Sequence, residues 1–111
     1  MITPSLTQEV SQLEADMCFA LADPSRILIL YSLNERPRNV SEITAELDIT
    51  QPTTSRHLKI LRDRGLVHAE RQGTTITYHL SDKRLIKALD LLRSVLRDRI
   101  SHRASLMEEF E

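Results

Sequence analysis

The stretch Ile49-Thr50-Gln51-Pro52-Thr53-Thr54-Ser55-Arg56-His57-Leu58-Lys59-Ile60-Leu61-Arg62 decides how the rest of the chain is read. Residues 49–52 read as a turn into a helix, with Thr50 as its cap. The helix runs to Arg64, and Gly65 is a natural left-handed stop. Thr54, Leu58, Leu61 and Gly65 follow one another at spacings of four, three and four, which gives the helix an inward face. Gln51, Thr53, Ser55, Arg56 and His57 gather near its N-terminal end and largely avoid that stripe. They carry amide, hydroxyl, guanidinium and imidazole groups of the kind that read base edges or hold phosphates. Lys59 and Arg62 lie further along and suit phosphate.

Working outward, Ser41-Glu42-Ile43-Thr44 opens a short helix that ends near Leu47. Before it, Asp23 caps and Pro24 begins a strongly apolar helix over residues 26–34, which Pro37 terminates. Residues 6–22 carry Leu6, Val10, Leu13, Met17 and Leu21 at helical spacing. After Gly65 the period changes to two. Val67, Ala69 and Arg71 alternate with polar residues, Gly73-Thr74 turns the chain, and Thr75-Ile76-Thr77-Tyr78-His79-Leu80 is β-branched and aromatic, so a hairpin is expected. Ser81-Asp82 then caps a long helix whose stripe is Leu85, Leu89, Leu92 and Leu96, widened by Ile86, Val95 and Ile100. The fold class is mainly α with a small β-hairpin, in the order α-α-α-α-β-β-α. Two short helices joined by a tight turn and followed by a hairpin make a winged helix-turn-helix.

The chain has 111 residues, which predicts a single domain over residues 1–111. One cysteine excludes an internal disulfide framework and a Cys-only zinc cluster within one chain. No apolar run is long enough for a membrane span and no signal-peptide pattern opens the chain, so a cytoplasmic location without membrane contact is expected. No nucleophile–base pair in a glycine-rich context, phosphate loop or framework of paired carboxylates points to an enzyme, and no cofactor is expected.

The net charge of −1 hides a strong asymmetry. Residues 1–22 sum to −3 and residues 23–50 to −2, whereas residues 51–80 sum to +3 and residues 81–111 to +1. Positive charge therefore collects on the decisive helix and the hairpin, where nucleic-acid phosphate would lie.

From Ala20-Leu21-Ala22-Asp23-Pro24-Ser25-Arg26 through Leu80, and most specifically over residues 49–67 and the hairpin tip Arg71-Gln72-Gly73-Thr74, the sequence resembles the ArsR/SmtB family of repressors. The resemblance implies a homodimer built through the first and last helices. It also implies palindromic double-stranded operator DNA as partner and an effector that releases it. The candidate DNA contacts are Gln51, Thr53, Thr54, Ser55, Arg56, His57, Lys59 and Arg62 on the recognition helix, with Arg71, Gln72 and Thr74 on the wing. The candidate dimer residues are Leu6, Val10, Leu13, Met17, Leu85, Leu89, Leu92 and Leu96.

The effector is not legible. The family's thiol metalloid site corresponds to Asn39 and Ser41, which supply no thiolate. On the last helix Asp98 and His102 share a face, with Glu108 and Glu109 beyond them. Their spacing departs from the family's metal pattern, so no metal site is expected, with Asp98 and His102 as the candidates for a nonstandard one. Cys18, beside Met17 and Phe19, reads as a buried, inert thiol. His68 and His79 read as strand-surface positions whose mutual placement the turn leaves open. Two other functions stand beside an operator-binding repressor. One is a metal-responsive sensor using that nonstandard His/carboxylate site. The other is a winged-helix protein–protein module.

Overall fold

The computed structural model describes residues 1–109, the side chain of Glu109 excepted. The chain forms two compact units, one over residues 1–81 and one from Asp82 onward.

The first unit opens with a helical arm. Thr3 caps α1 (Pro4–Glu9) by accepting from the Leu6 N–H at 3.1 Å, and Pro4 occupies the first turn. The arm passes without a break through a π-helical stretch, Val10–Glu14, in which the Ala15 N–H reaches back to the Val10 carbonyl. It ends as α2 (Ala15–Ala20), two residues short of the expected stop at Ala22. Residues 1–19 are all exposed, and Cys18 with them. The expectation of a buried thiol is therefore corrected: no other part of its own unit covers the arm at that position.

Asp23 caps α3 (Pro24–Glu35) by accepting from the Ser25 N–H at 2.8 Å. A two-residue strand, β1 (Arg38–Asn39), follows. Asn39 and Glu42 make a reciprocal capping box for α4 (Val40–Leu47), at 2.9 and 3.1 Å. Thr50 caps α5 (Gln51–Asp63) by accepting from the Thr53 N–H at 3.4 Å. Gly65 then takes a left-handed φ of +73°, as the reading of a stop requires.

β2 (Val67–Gln72) and β3 (Thr75–Leu80) pair antiparallel in the expected hairpin. Gly73 carries a positive φ at the first central turn position and Thr74 does not, the pattern of a type II′ hairpin turn. The sheet order is β1-β3-β2, with Arg38 opposite Tyr78. β1 was not anticipated, because two residues carry no period. The core of this unit is built from Ile29, Leu30, Ile43, Leu58, Leu61 and Val67, all essentially inaccessible. The second unit is one helix, α6 (Arg84–Glu109). Among the described residues no helix is long and apolar enough to cross a membrane.

Candidate nucleic-acid interface

α5 presents two chemically distinct faces. Leu58 and Leu61 are fully buried, and Thr54 with them. Thr54 Oγ1 donates to the Thr50 carbonyl at 3.1 Å and accepts from Thr44 Oγ1 at 2.9 Å, which joins α4 to α5. His57 is also buried. Its Nδ1 lies 3.3 Å from Arg26 Nη1, and its Nε2 lies 3.9 Å from Asp23 Oδ1. Burial, reinforced by the neighbouring Arg26 and Arg56 guanidinium groups and opposed by Asp23, holds the His57 pKa below its ordinary value. Thr54 and His57 thus occupy the inner side of the helix and are not presented to a groove. The physical reason is the helical period, which turns residues three and four apart onto the same face.

The outward face carries Gln51, Ser55, Arg56, Lys59 and Arg62, all exposed, with Thr53 half-buried at the edge. The Thr53 hydroxyl accepts from Thr50 Oγ1 at 2.8 Å. Lys59 Nζ lies 3.1 Å from Asp63 Oδ2, an exposed pair that costs little to open. Arg56, Arg62 and Arg71 form no ion pair among the described residues. Capping by Thr50 starts this helix at Gln51, so the exposed side chains of its first two turns are held on a rigid element. On the wing, Arg71, Gln72 and Thr74 are exposed around the Gly73 turn.

Across the hairpin the two-residue turn fixes the register, and His68 faces His79. Their rings stack with centroids 4.9 Å apart and planes 6° from parallel. His79 Nε2 lies 3.0 Å from Glu70 Oε2.

The pattern that defines "Bacterial regulatory protein, arsR family" matches residues 23–69. The HTH-type transcriptional repressor SmtB of Mycobacterium tuberculosis is 40% identical over 78 residues, covering 70% of this chain and 58% of that protein. The chain therefore spans less than two thirds of that relative. An HTH-type transcriptional regulator of the same organism, Rv0081, is 31% identical over 104 residues, which cover 93% of this chain and 91% of that one. The chain belongs to the ArsR family. The crystal structure of Rv0081 superposes on this ArsR-family chain with a TM-score of 0.76 at 32% identity, covering 86% of this chain and 96% of that one. The homodimeric winged helix-turn-helix DNA-binding domain Mb0332 of Mycobacterium bovis does so with a TM-score of 0.76 at 26% identity, covering 90% and 93%. The winged helix-turn-helix fold read from the sequence is thereby shown.

Of the candidate dimer positions in this ArsR-family protein, Leu6, Val10, Leu13 and Met17 form an exposed apolar stripe on the arm. Leu92 and Leu96 are exposed on α6, whereas Leu85 is half-buried and Leu89 buried. Exposed Leu91, Val95 and Ile100 extend the apolar surface of α6. Asp98 and His102 are exposed on that helix. Among the described residues no group of three or more His, Cys, Asp or Glu side chains is arranged to hold a metal ion. The Glu109 side chain lies outside the described residues. Asn39 is engaged in the α4 capping box, and Ser41 is exposed.

Two buried arginines escaped the sequence reading. Arg38 Nε donates to the Ser32 carbonyl at 3.1 Å, and its Nη2 donates to Glu35 Oε2 at 2.8 Å. Arg26 Nε donates to the Ala20 carbonyl at 2.6 Å, and its Nη2 donates to the Phe19 carbonyl at 3.2 Å. Charge alone assigns an arginine to the surface. The only local signal was position, since Arg26 stands in the first turn of a helix, where a cation is disfavoured.

Proposed function

We propose that this chain is a homodimeric, sequence-specific DNA-binding repressor that uses α5 to read the major groove of an operator and the wing to hold the flanking backbone. The observation that carries this reading is the outward face of α5. Ser55, Arg56, Lys59 and Arg62 are exposed on one rigid helix, on the segment where the chain's positive charge collects. A bidentate guanidinium suits guanine, an amide such as Gln51 suits adenine, and the more distal cations suit phosphate. Residues 1–111 serve as one winged helix-turn-helix DNA-binding domain with dimerisation helices at its two ends. The arm and α6 supply the apolar surface that a second copy covers, in keeping with the described homodimer of Mb0332. Two-fold symmetry then requires a palindromic operator with half-sites about one DNA turn apart or a multiple of it.

Selection of bound duplexes from a randomised pool tests this reading. Enrichment of a palindrome, bound by a dimer with an affinity that falls steeply as salt rises, is the expected result. Absence of any enriched sequence, with no salt-dependent duplex binding, would favour a protein–protein module instead. The location that follows from this function is the cytoplasm.

A further inference from the structure

We propose that Arg26 is a positioning residue for DNA recognition: through His57 it sets the recognition helix against the end of the N-terminal helical arm. The proposal rests on the operator-binding reading above. Arg26 and His57 are 9% and 8% exposed, so neither is placed to touch DNA itself.

The placement of Arg26 is unfavourable for its own helix. It lies in the first turn of α3, where the backbone dipole opposes a cation. Its side chain turns back instead to the C-terminal end of α2, where carbonyls lack helical partners and the dipole favours positive charge. There Nε takes the carbonyl of Ala20, and Nη2 shares that of Phe19 with the Ala22 N–H. The remaining terminal nitrogen, Nη1, meets His57 on the inner side of α5 and lies 4.0 Å from Asp23 Oδ2.

A guanidinium stays protonated and has no acceptor, so the His57 Nδ1 must be the accepting atom. The imidazole proton then sits on Nε2, toward Asp23. The planar guanidinium fork has a fixed geometry. The end of the arm, the cap of α3 and the middle of α5 are therefore held by one rigid group. A second tie, at the C-terminal cap of α5, has the same sense. Arg64 Nε donates to the Asp16 carbonyl at 3.2 Å, and its guanidinium lies 4.6 Å from the centre of the Phe19 ring. The arm that carries the exposed apolar stripe is thus joined to the recognition helix at two points.

The test uses the full chain and the duplex that the parent selects from a randomised pool. Arg26→Lys keeps the charge but loses the fork. His57→Leu removes the acceptor, and His57→Asn retains an acceptor near the Nδ1 position. Folding is checked by circular dichroism and the dimer by sedimentation. Arg26→Lys and His57→Leu are expected to lose about tenfold or more in affinity for that duplex, with the dimer intact. The slope of log affinity against log salt should not change, because no phosphate contact is removed. His57→Asn should recover most of the loss. Parental affinity in either Arg26→Lys or His57→Leu overturns the proposal. So does a loss with a shallower salt slope, which would make Arg26 a phosphate contact. Should Arg26→Lys fail to fold, the two His57 variants decide, and equal affinities for Leu and Asn overturn it. If the parent itself selects no duplex, the operator reading fails first and takes this proposal with it.

Discussion

Thr44 donates its hydroxyl hydrogen to the Thr54 hydroxyl across 2.9 Å, and Thr54 passes its own to the Thr50 carbonyl at 3.1 Å. The relay locks the two helices of the helix-turn-helix together and explains a fully buried hydroxyl on the inner face of α5. Thr54→Val keeps the volume but breaks both bonds. It should cost about 1–2 kcal/mol of stability, measured by urea unfolding, while the outward side chains remain available to DNA.

The outward face separates base reading from phosphate holding. Arg56→Ala should weaken binding to the selected duplex by about 1–3 kcal/mol and leave the dimer intact. Lys59→Ala should weaken binding to all duplexes alike and reduce the salt slope by about one. Titrations at several salt concentrations distinguish the two. Unchanged selected-duplex affinity in Arg56→Ala would show that another face of the domain meets DNA.

Acid should destabilise the fold through His57. Its pKa lies below the ordinary 6.5 in the folded chain, because burial penalises the imidazolium. Between that lowered value and 6.5 the unfolded chain binds the proton more readily, so stability rises with pH across this window. The contribution is fully present above 6.5 and is lost as pH falls through the folded pKa. His57→Asn should flatten this part of the stability–pH curve. An NMR titration of the ring should show a midpoint below the ordinary one.

Gly65 joins the recognition helix to the wing at a φ of +73°, and an added Cβ there would meet nothing within 4 Å. The cost of Gly65→Ala is therefore backbone strain alone, about 1–2 kcal/mol. Gly65→Asn should recover part of it, because asparagine tolerates the left-handed region better. Thermal unfolding of the two variants provides the comparison. Equal destabilisation by Ala and Asn would point away from backbone strain.

The apolar stripes on the arm and on α6 should each form an interface between copies. Leu13 is 63% exposed and Leu96 51% exposed in the single chain. Leu13→Asp and Leu96→Asp should each shift sedimentation toward the monomer and weaken operator binding, because burying an unpaired carboxylate is costly. A dimer unaffected by both would place the interface elsewhere.

The sequence by itself determined the succession of helices, the hairpin, the cap at Thr50 and the stop at Gly65. These depend on periodicity and on residues with strong local preferences, and both are visible in a linear text. It also marked the outward polar residues of α5. Spacing already put Thr54 on the inward stripe, but only the tertiary structure decided that His57 faces inward with it, since a polar ring gives no sign of burial in the sequence. It likewise supplied β1, whose two residues are a strand only because β3 lies beside them. The stacking of His68 on His79 depends on strand register, which a two-residue turn sets and which side-chain alternation alone leaves open. Arg26 shows the limit most clearly. In the sequence it is a charged residue near a helix start, and its role arises from carbonyls six and seven residues away and an imidazole 31 residues away. Local preference is encoded residue by residue, whereas a buried polar contact exists only once packing has brought its distant partners together.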